Sequence, residues 1–207
     1  MNYEIERNIC VSPGNTKLGK IKNFSLPSGI SCPGNSLWCK NCYAKRYEKR
    51  YTNCQKAYTR NLKHSQKYFF SELVISQLEK MPGYNVRIHP SGDFYSVNYI
   101  DQWIGICKRM TNHKFWCYTR SWTIPELFPK IKELNKIKNI QVFLSTDPTM
   151  DLPSDNFRIA FVEDDKRANG IVCLHDAGLK HTCKECGYCF KNKKGNVIFK
   201  NKLKKRK

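Results

Sequence analysis

From Tyr84 onward, apolar residues arrive in short, regular bursts. Tyr84–His89 (YNVRIH), Lys114–Thr119 (KFWCYT), Ile140–Ser145 (IQVFLS), Arg158–Glu163 (RIAFVE) and Gly170–Leu174 (GIVCL) are rich in β-branched and aromatic residues and read as strands. Between them the period changes. Val97–Met110 sets Ile100, Trp103, Ile104 and Cys107 on one helical face, and Ile124–Leu134 reads as a helix with Pro125 in its first turn. Upstream, Leu62, Phe69, Phe70, Leu73, Val74 and Leu78 recur near helical spacing, which predicts a long helix over residues 55–80. Met81-Pro82-Gly83 stops it. Residues 5–11 (IERNICV) read as a first strand, followed by a Gly/Pro/Ser/Asn-rich stretch.

Strands alternating with helices or crossover-length segments predict βα units around a parallel sheet. The fold class is therefore α/β: a partial (β/α) barrel of about six parallel strands, with a small cysteine-rich C-terminal appendage. The expected division is a barrel-like unit over residues 1–176, and a metal-binding appendage with a basic tail over residues 177–207. In such sheets chemistry gathers at the C-terminal ends of the strands. Polar residues cluster at those ends: His89, Ser91, Gly92 and Asp93, then Arg120, then Asp147, then His175 and Asp176. Arg87 and His89 alternate with Val86 and Ile88, so both are expected to aim one way, into the barrel. Asp93, His89, Arg120 and Asp147 are the candidate catalytic residues. Ser91, Gly92 and Asp93 form a candidate cofactor loop, in which glycine lets backbone approach a ligand.

Cysteine usage adds chemistry to this frame. Of eleven cysteines, seven fall into two groups. Cys32, Cys39 and Cys42 follow C-x6-C-x2-C, in the loop before the long helical region. Cys173, Cys183, Cys186 and Cys189 follow C-x9-C-x2-C-x2-C near the end. The first residues lack the apolar core of a signal peptide, and no run of 18 apolar residues occurs. A cytoplasmic protein with reduced thiols is therefore expected, and no membrane partner. Thiols at these spacings point to metal. Three thiolates leave one iron of an iron–sulfur cluster open, and zinc with a fourth ligand is the alternative. Four thiolates can close a zinc site or hold a second cluster. Cys107 and Cys117 lie in apolar patterns and read as core.

Charge changes the expected partner. The net charge is +20, and residues 191–207 alone hold nine basic side chains and no acid. The segment from Tyr43 to Tyr68 interleaves tyrosines with lysine and arginine. Cations can meet phosphates while rings stack on bases, so nucleic acid or a nucleotide is the expected partner. Lys45, Arg46, Arg50, Lys204, Lys205 and Arg206 are the candidate contacts. The competing reading of this segment is a half-buried helix with its tyrosines turned to the core.

The motifs CPGNSLWCKNCYA, RIHPSGDFYS, FWCYTRSW and CKECGYCF, in that order, resemble an uncharacterised phage family known as gene product 88. More distantly, the chain resembles radical S-adenosylmethionine enzymes, partial barrels with three cysteines after the first strand. That resemblance implies a four-iron cluster on Cys32, Cys39 and Cys42. It also implies S-adenosylmethionine as a cofactor, its amino group near Ser91-Gly92-Asp93. The chain departs from the usual C-x3-C-x2-C spacing by three extra residues in the first gap. It also carries Asn41, not an aromatic, before Cys42. A further resemblance is to tRNA-guanine transglycosylases, which implies zinc-stabilised base chemistry with Asp93 and Asp147 as nucleophile and acid/base. The leading expectation is an iron–sulfur enzyme acting on nucleic acid or a nucleotide. The alternatives are the zinc-stabilised enzyme and a non-enzymatic nucleic-acid binder with structural metal sites.

Overall fold

A computed structural model describes residues 10–153, 156–191 and 194–201. Among the described residues one sheet holds seven strands: β1 (Lys22–Phe24), β2 (Asn85–Ile88), β3 (Lys114–Thr119), β4 (Ile140–Ser145), β5 (Arg158–Val162), β6 (Ile171–Val172) and β7 (Val197–Phe199). The order is β1-β2-β3-β4-β5-β7-β6. Every pairing is parallel. The helices are α1 (Tyr43–Arg50), α2 (Thr52–Ser65), α3 (Phe70–Lys80), α4 (Val97–Arg109), α5 (Phe128–Asn135) and the short α6 (Cys183–Cys186).

Five strands follow one another in chain order without reversal, and the sheet does not close. This is the winding of a partial (β/α) barrel, not of a doubly wound sheet. The two faces separate by strand alternation. Val86, Ile88, Phe115, Cys117, Ile140, Val142 and Leu144 point outward. They form one core with Phe70, Leu73 and Leu78 of α3, Ile100, Trp103 and Cys107 of α4, and Ile131 of α5. Trp103, Cys107 and Cys117 are fully buried, as their apolar periodicity predicts. On the concave face, Trp116 packs with Leu18, Ile21 and Phe190, while Phe143 packs with Ala160, Cys173 and Val197.

Two expectations change, and a third lies mostly outside the described residues. That one is the predicted strand over residues 5–11; among the described residues the edge strand is Lys22–Phe24. Its apolar pattern is hidden by Lys22, which is 2% exposed. That ammonium donates to Leu78 O at 2.7 Å and lies 3.2 Å from His113 Nε2. Burial lowers its pKa. The predicted helix over 55–80 is broken: α2 ends at Ser65 and α3 starts at Phe70. Residues 66–69 turn the chain so that the apolar stripe of α3 meets the sheet. Finally, β7 comes from the segment read as a basic tail. Val197–Phe199 inserts between β5 and β6, so residues beyond 176 complete the sheet.

Candidate active site at the open rim

The loop after β1 crosses the C-terminal ends of β2 and β3, and two glycines let it lie close. Leu26 N donates to Ser91 O at 2.9 Å, and Asp93 N donates to Ser31 O at 3.1 Å. Gly92 has φ +80, and a Cβ there would lie 2.5 Å from Leu26 Cβ. Gly34 packs on the backbone of Arg120, where a Cβ would stand 2.2 Å from the carbonyl oxygen. The expected ligand approach at Gly92 is thus taken by the thiol loop itself. A 3-10 turn over Leu37–Asn41 then presents Cys39, and Cys42 caps the start of α1.

Residues far apart in sequence meet beside that turn. Arg120 Nη1 lies 2.7 Å from Ser36 Oγ, 2.9 Å from Asp147 Oδ2 and 3.1 Å from Cys39 Sγ. Ser36 Oγ donates to Asp147 Oδ2 at 2.7 Å. Thr149 supplies both its backbone N–H and its hydroxyl to Asp147 Oδ1. Burial pushes the Asp147 carboxyl up, but the Thr149 and Ser36 hydrogen bonds and the Arg120 charge outweigh it, so the pKa falls below the ordinary value. A charged pair thus stands against a thiol at the mouth of the half barrel.

Asp93 lies just beneath. Oδ1 accepts from Phe94 N at 2.7 Å and Thr119 Oγ1 at 2.6 Å, and Oδ2 accepts from Arg120 N at 2.7 Å. Burial raises its pKa against these bonds. The geometry makes Asp93 a positioning residue that fixes the backbone of Arg120. Ser91 Oγ donates to Glu48 Oε1 at 2.8 Å, and Ser28 N donates to the same oxygen at 2.9 Å. Glu48 thereby ties α1 to the rim. Neither Ser36 nor Glu48 stood out in the sequence, although Glu48 is the lone acid between Tyr43 and Ser71.

His89 departs from its expected direction. β2 ends at Ile88, and His89 adopts φ +58. Its ring therefore turns away from Arg87, into Phe24, Phe94, Tyr99 and Trp103. Nε2 lies 2.7 Å from Tyr99 Oη. Burial, then the Arg87 charge, lowers its pKa to about 3, so it is a neutral core histidine. Arg87 does face the concave side, with its guanidinium 3.9 Å from the centre of the Tyr118 ring.

Each thiol group is gathered, though not closed. Burial, then the Asp93 charge, raises Cys32 to about 12, and Cys42 and Cys39 add to the rise. At the concave face, burial raises Cys183 to about 11 while Lys17 opposes it, and Cys189 and Cys173 add to the rise. Lys17 Nζ donates to Asp176 Oδ1 at 3.0 Å. Thr182 caps the turn over Cys183–Cys186, and Gly187 ends it at φ +66. Among the described residues, no three Cys, His, Asp or Glu side chains converge at ligating distance. The donor chemistry of both groups suits a thiophilic metal, and their convergence on one point is not formed.

Tyr43 begins α1 beside Cys42. Its hydroxyl donates to Pro90 O. Burial raises its pKa, with Arg87 and Lys17 opposing, yet 51% of its surface is open. Two hollows, of about 640 and 650 Å³, lie by Leu78–Tyr84 and by Trp122–Phe128, and neither is lined by a cysteine. Lys204, Lys205 and Arg206 lie outside the described residues. No helix among the described residues is long and apolar enough to cross a membrane.

The chain is thus a singly wound parallel α/β protein with a three-thiol loop laid over its strand ends. It belongs to the Gene product 88 family, whose match runs over residues 6–205. It is similar to the Gene 88 protein of Mycobacterium phage L5, at 27% identity over a 231-residue alignment covering 90% of this chain and 89% of that protein. It is also similar to the Gene 88 protein of Mycobacterium phage D29, at 29% identity over 153 residues, covering 65% of this chain and 60% of that protein. No solved structure matches it.

Proposed function

We propose that the protein is a metal-dependent enzyme acting on nucleic acid or a nucleotide, with an iron–sulfur cluster held by Cys32, Cys39 and Cys42. One observation carries the reading: the buried Arg120–Asp147 pair lies against Cys39 at the open rim, where parallel α/β sheets place their chemistry. A thiolate cluster is anionic, and a guanidinium donating to one of its sulfurs is a fitting neighbour. When bound, such a cluster supplies electron transfer or an open iron site. The chain's own residues do the rest. Arg120 holds the sulfur and presents a fixed cation, Asp147 and Ser36 hold Arg120, and Asp93 holds its backbone. The Ser91–Asp93 loop does not fit S-adenosylmethionine as it stands. Both oxygens of Asp93 and the Ser91 hydroxyl are engaged within the protein, and no step is assigned to that cofactor.

Cys173, Cys183, Cys186 and Cys189 suit a structural metal. Arg87 supports this, because its Nη1 is buried with no hydrogen-bond partner. Nη2 donates to His89 O at 3.3 Å and the guanidinium lies over Tyr118, so Nη1 is the unsatisfied donor; burying it is costly, and an anionic four-thiolate site beside it would offset that cost. The test is anaerobic purification with iron, sulfide and zinc analysis, on wild type and on the Cys32→Ser/Cys39→Ser/Cys42→Ser variant. Iron and sulfide that disappear in the variant support the reading. A colourless protein carrying only zinc overturns it.

A further inference from the structure

Helix α1 starts at Cys42 and runs outward from the thiol loop, and it buries only Ala44. Its tyrosines do not face the core: Tyr47 is 60% exposed and Tyr51, at its end, 44%. The half-buried alternative is thereby excluded for Tyr47 and Tyr51, while Tyr58 of α2 is half-buried. The two rings lie 5.8 Å apart at 33°, and the Arg50 guanidinium sits 5.5 Å from the centre of the Tyr51 ring. Lys45, Arg46, Lys49 and Arg50 are all exposed. The acid of this helix, Glu48, is turned inward to Ser28 and Ser91. Exposed aromatic surface set among cations, with the helix's own carboxylate turned away, fits one ligand chemistry well. Phosphates would meet the cations, and unpaired bases would stack on the rings. A duplex offers phosphates but keeps its base faces stacked inside.

We propose that the exposed face of α1 is a docking track for single-stranded nucleic acid, with Tyr47 and Tyr51 as stacking platforms, which leads the strand to the three-thiol rim. At 1.5 Å per residue the rings stand roughly 7 and 13 Å along the helix from Cys42. A strand on the track therefore has its next nucleotides at the rim. Lys45 connects the two, its Cε lying 3.1 Å from where a Cβ on Gly29 would stand, in the loop that leads to Cys32. This deepens the reading of the rim as a nucleic-acid site and rests on it for the purpose of the track, though not for binding itself.

The experiment is fluorescence anisotropy of a labelled single-stranded oligonucleotide and its duplex, titrated with the full chain at several salt concentrations, before and after chelation of metal. The single strand binds more tightly than the duplex, with or without metal. Tyr47→Ala/Tyr51→Ala weakens it by roughly tenfold or more, while Tyr47→Phe/Tyr51→Phe retains it, because the ring does the stacking. Lys49→Gln lowers the slope of log affinity against log salt by about 0.7. Circular dichroism confirms that each variant is folded. Equal affinity of the alanine variant and wild type overturns the proposal and assigns binding to other basic surface. Absence of binding to a single strand at low salt also overturns it, and leaves the tyrosines to a protein partner. Single-strand binding by a protein without iron leaves the track standing and removes the cluster. Iron without single-strand binding does the reverse.

Discussion

Replacing Arg120 by alanine removes the guanidinium that faces Asp147, Ser36 and Cys39 together. Asp147 has 0% exposed side chain and Arg120 has 16%. Breaking a buried ion pair by removing one partner costs about 3–5 kcal/mol, whereas exposed pairs contribute about 0.2–1 kcal/mol. Asp147 keeps three other donors, from Thr149 and Ser36, and it lies near the rim under thin cover. The loss is therefore placed at the low end, about 3 kcal/mol. For a chain of this size that lowers the melting temperature by about 6–12 °C. Arg120→Ala/Asp147→Asn recovers much of it, since the stranded charge is gone. Arg120→Lys keeps the charge and loses the fork, and it falls between. Urea denaturation of wild type, Arg120→Ala, Asp147→Asn and Arg120→Ala/Asp147→Asn gives the double-mutant cycle. A cost below 1 kcal/mol for Arg120→Ala, with no coupling to Asp147, would show an ordinary surface pair and refute the geometry.

Other outcomes follow from particular contacts. Gly34→Ala drives a Cβ into the Arg120 carbonyl and lowers stability by about 1–3 kcal/mol. Gly105→Ala, in α4 with open space around it, gains about 0.5–1 kcal/mol. A thermal melt of the pair checks both. His89 titrates at about 3 in the folded protein against about 6.5 unfolded. Its contribution to stability is whole above pH 6.5 and is lost as pH falls toward 3, at about 1.4 kcal/mol per unit. Between pH 6.5 and 4.5 wild type therefore loses about 2.3 kcal/mol more than His89→Asn, a variant that tolerates the positive φ. Equal slopes would contradict a buried neutral imidazole. Cys183→Ser/Cys189→Ser lowers the melting temperature, and chelation no longer affects that variant. An unchanged melt would deny the second thiol group a structural metal.

The strands β2 to β5 and helix α4 were legible because their apolar periods are unbroken and agree with their lengths. β1 was hidden by Lys22 and Asn23, two polar residues buried through partners that only the tertiary structure supplies. β7 was hidden by the lysines around Val197–Phe199, where charge outweighed a three-residue apolar run. At the rim, position at the strand ends singles out Asp93, Arg120 and Asp147. It could not separate their parts, since Asp93 is turned inward by Thr119 and the Arg120 backbone while Arg120 reaches Cys39. His89 was misdirected because alternation holds only while the strand lasts, and a left-handed residue at its end reverses the side. Ser36 carried no signal in sequence, and Glu48 carried a faint one, as an acid alone in a basic helix.

The proposed iron–sulfur cluster on the rim thiols beside Arg120 is tested most directly by iron and acid-labile sulfide per chain in protein purified without oxygen. A brown protein with about four irons and matching sulfide is expected. The cluster is lost in Cys32→Ser/Cys39→Ser/Cys42→Ser and kept when Cys183 and Cys189 are replaced. A colourless protein, or iron that survives loss of the three rim cysteines, would contradict it.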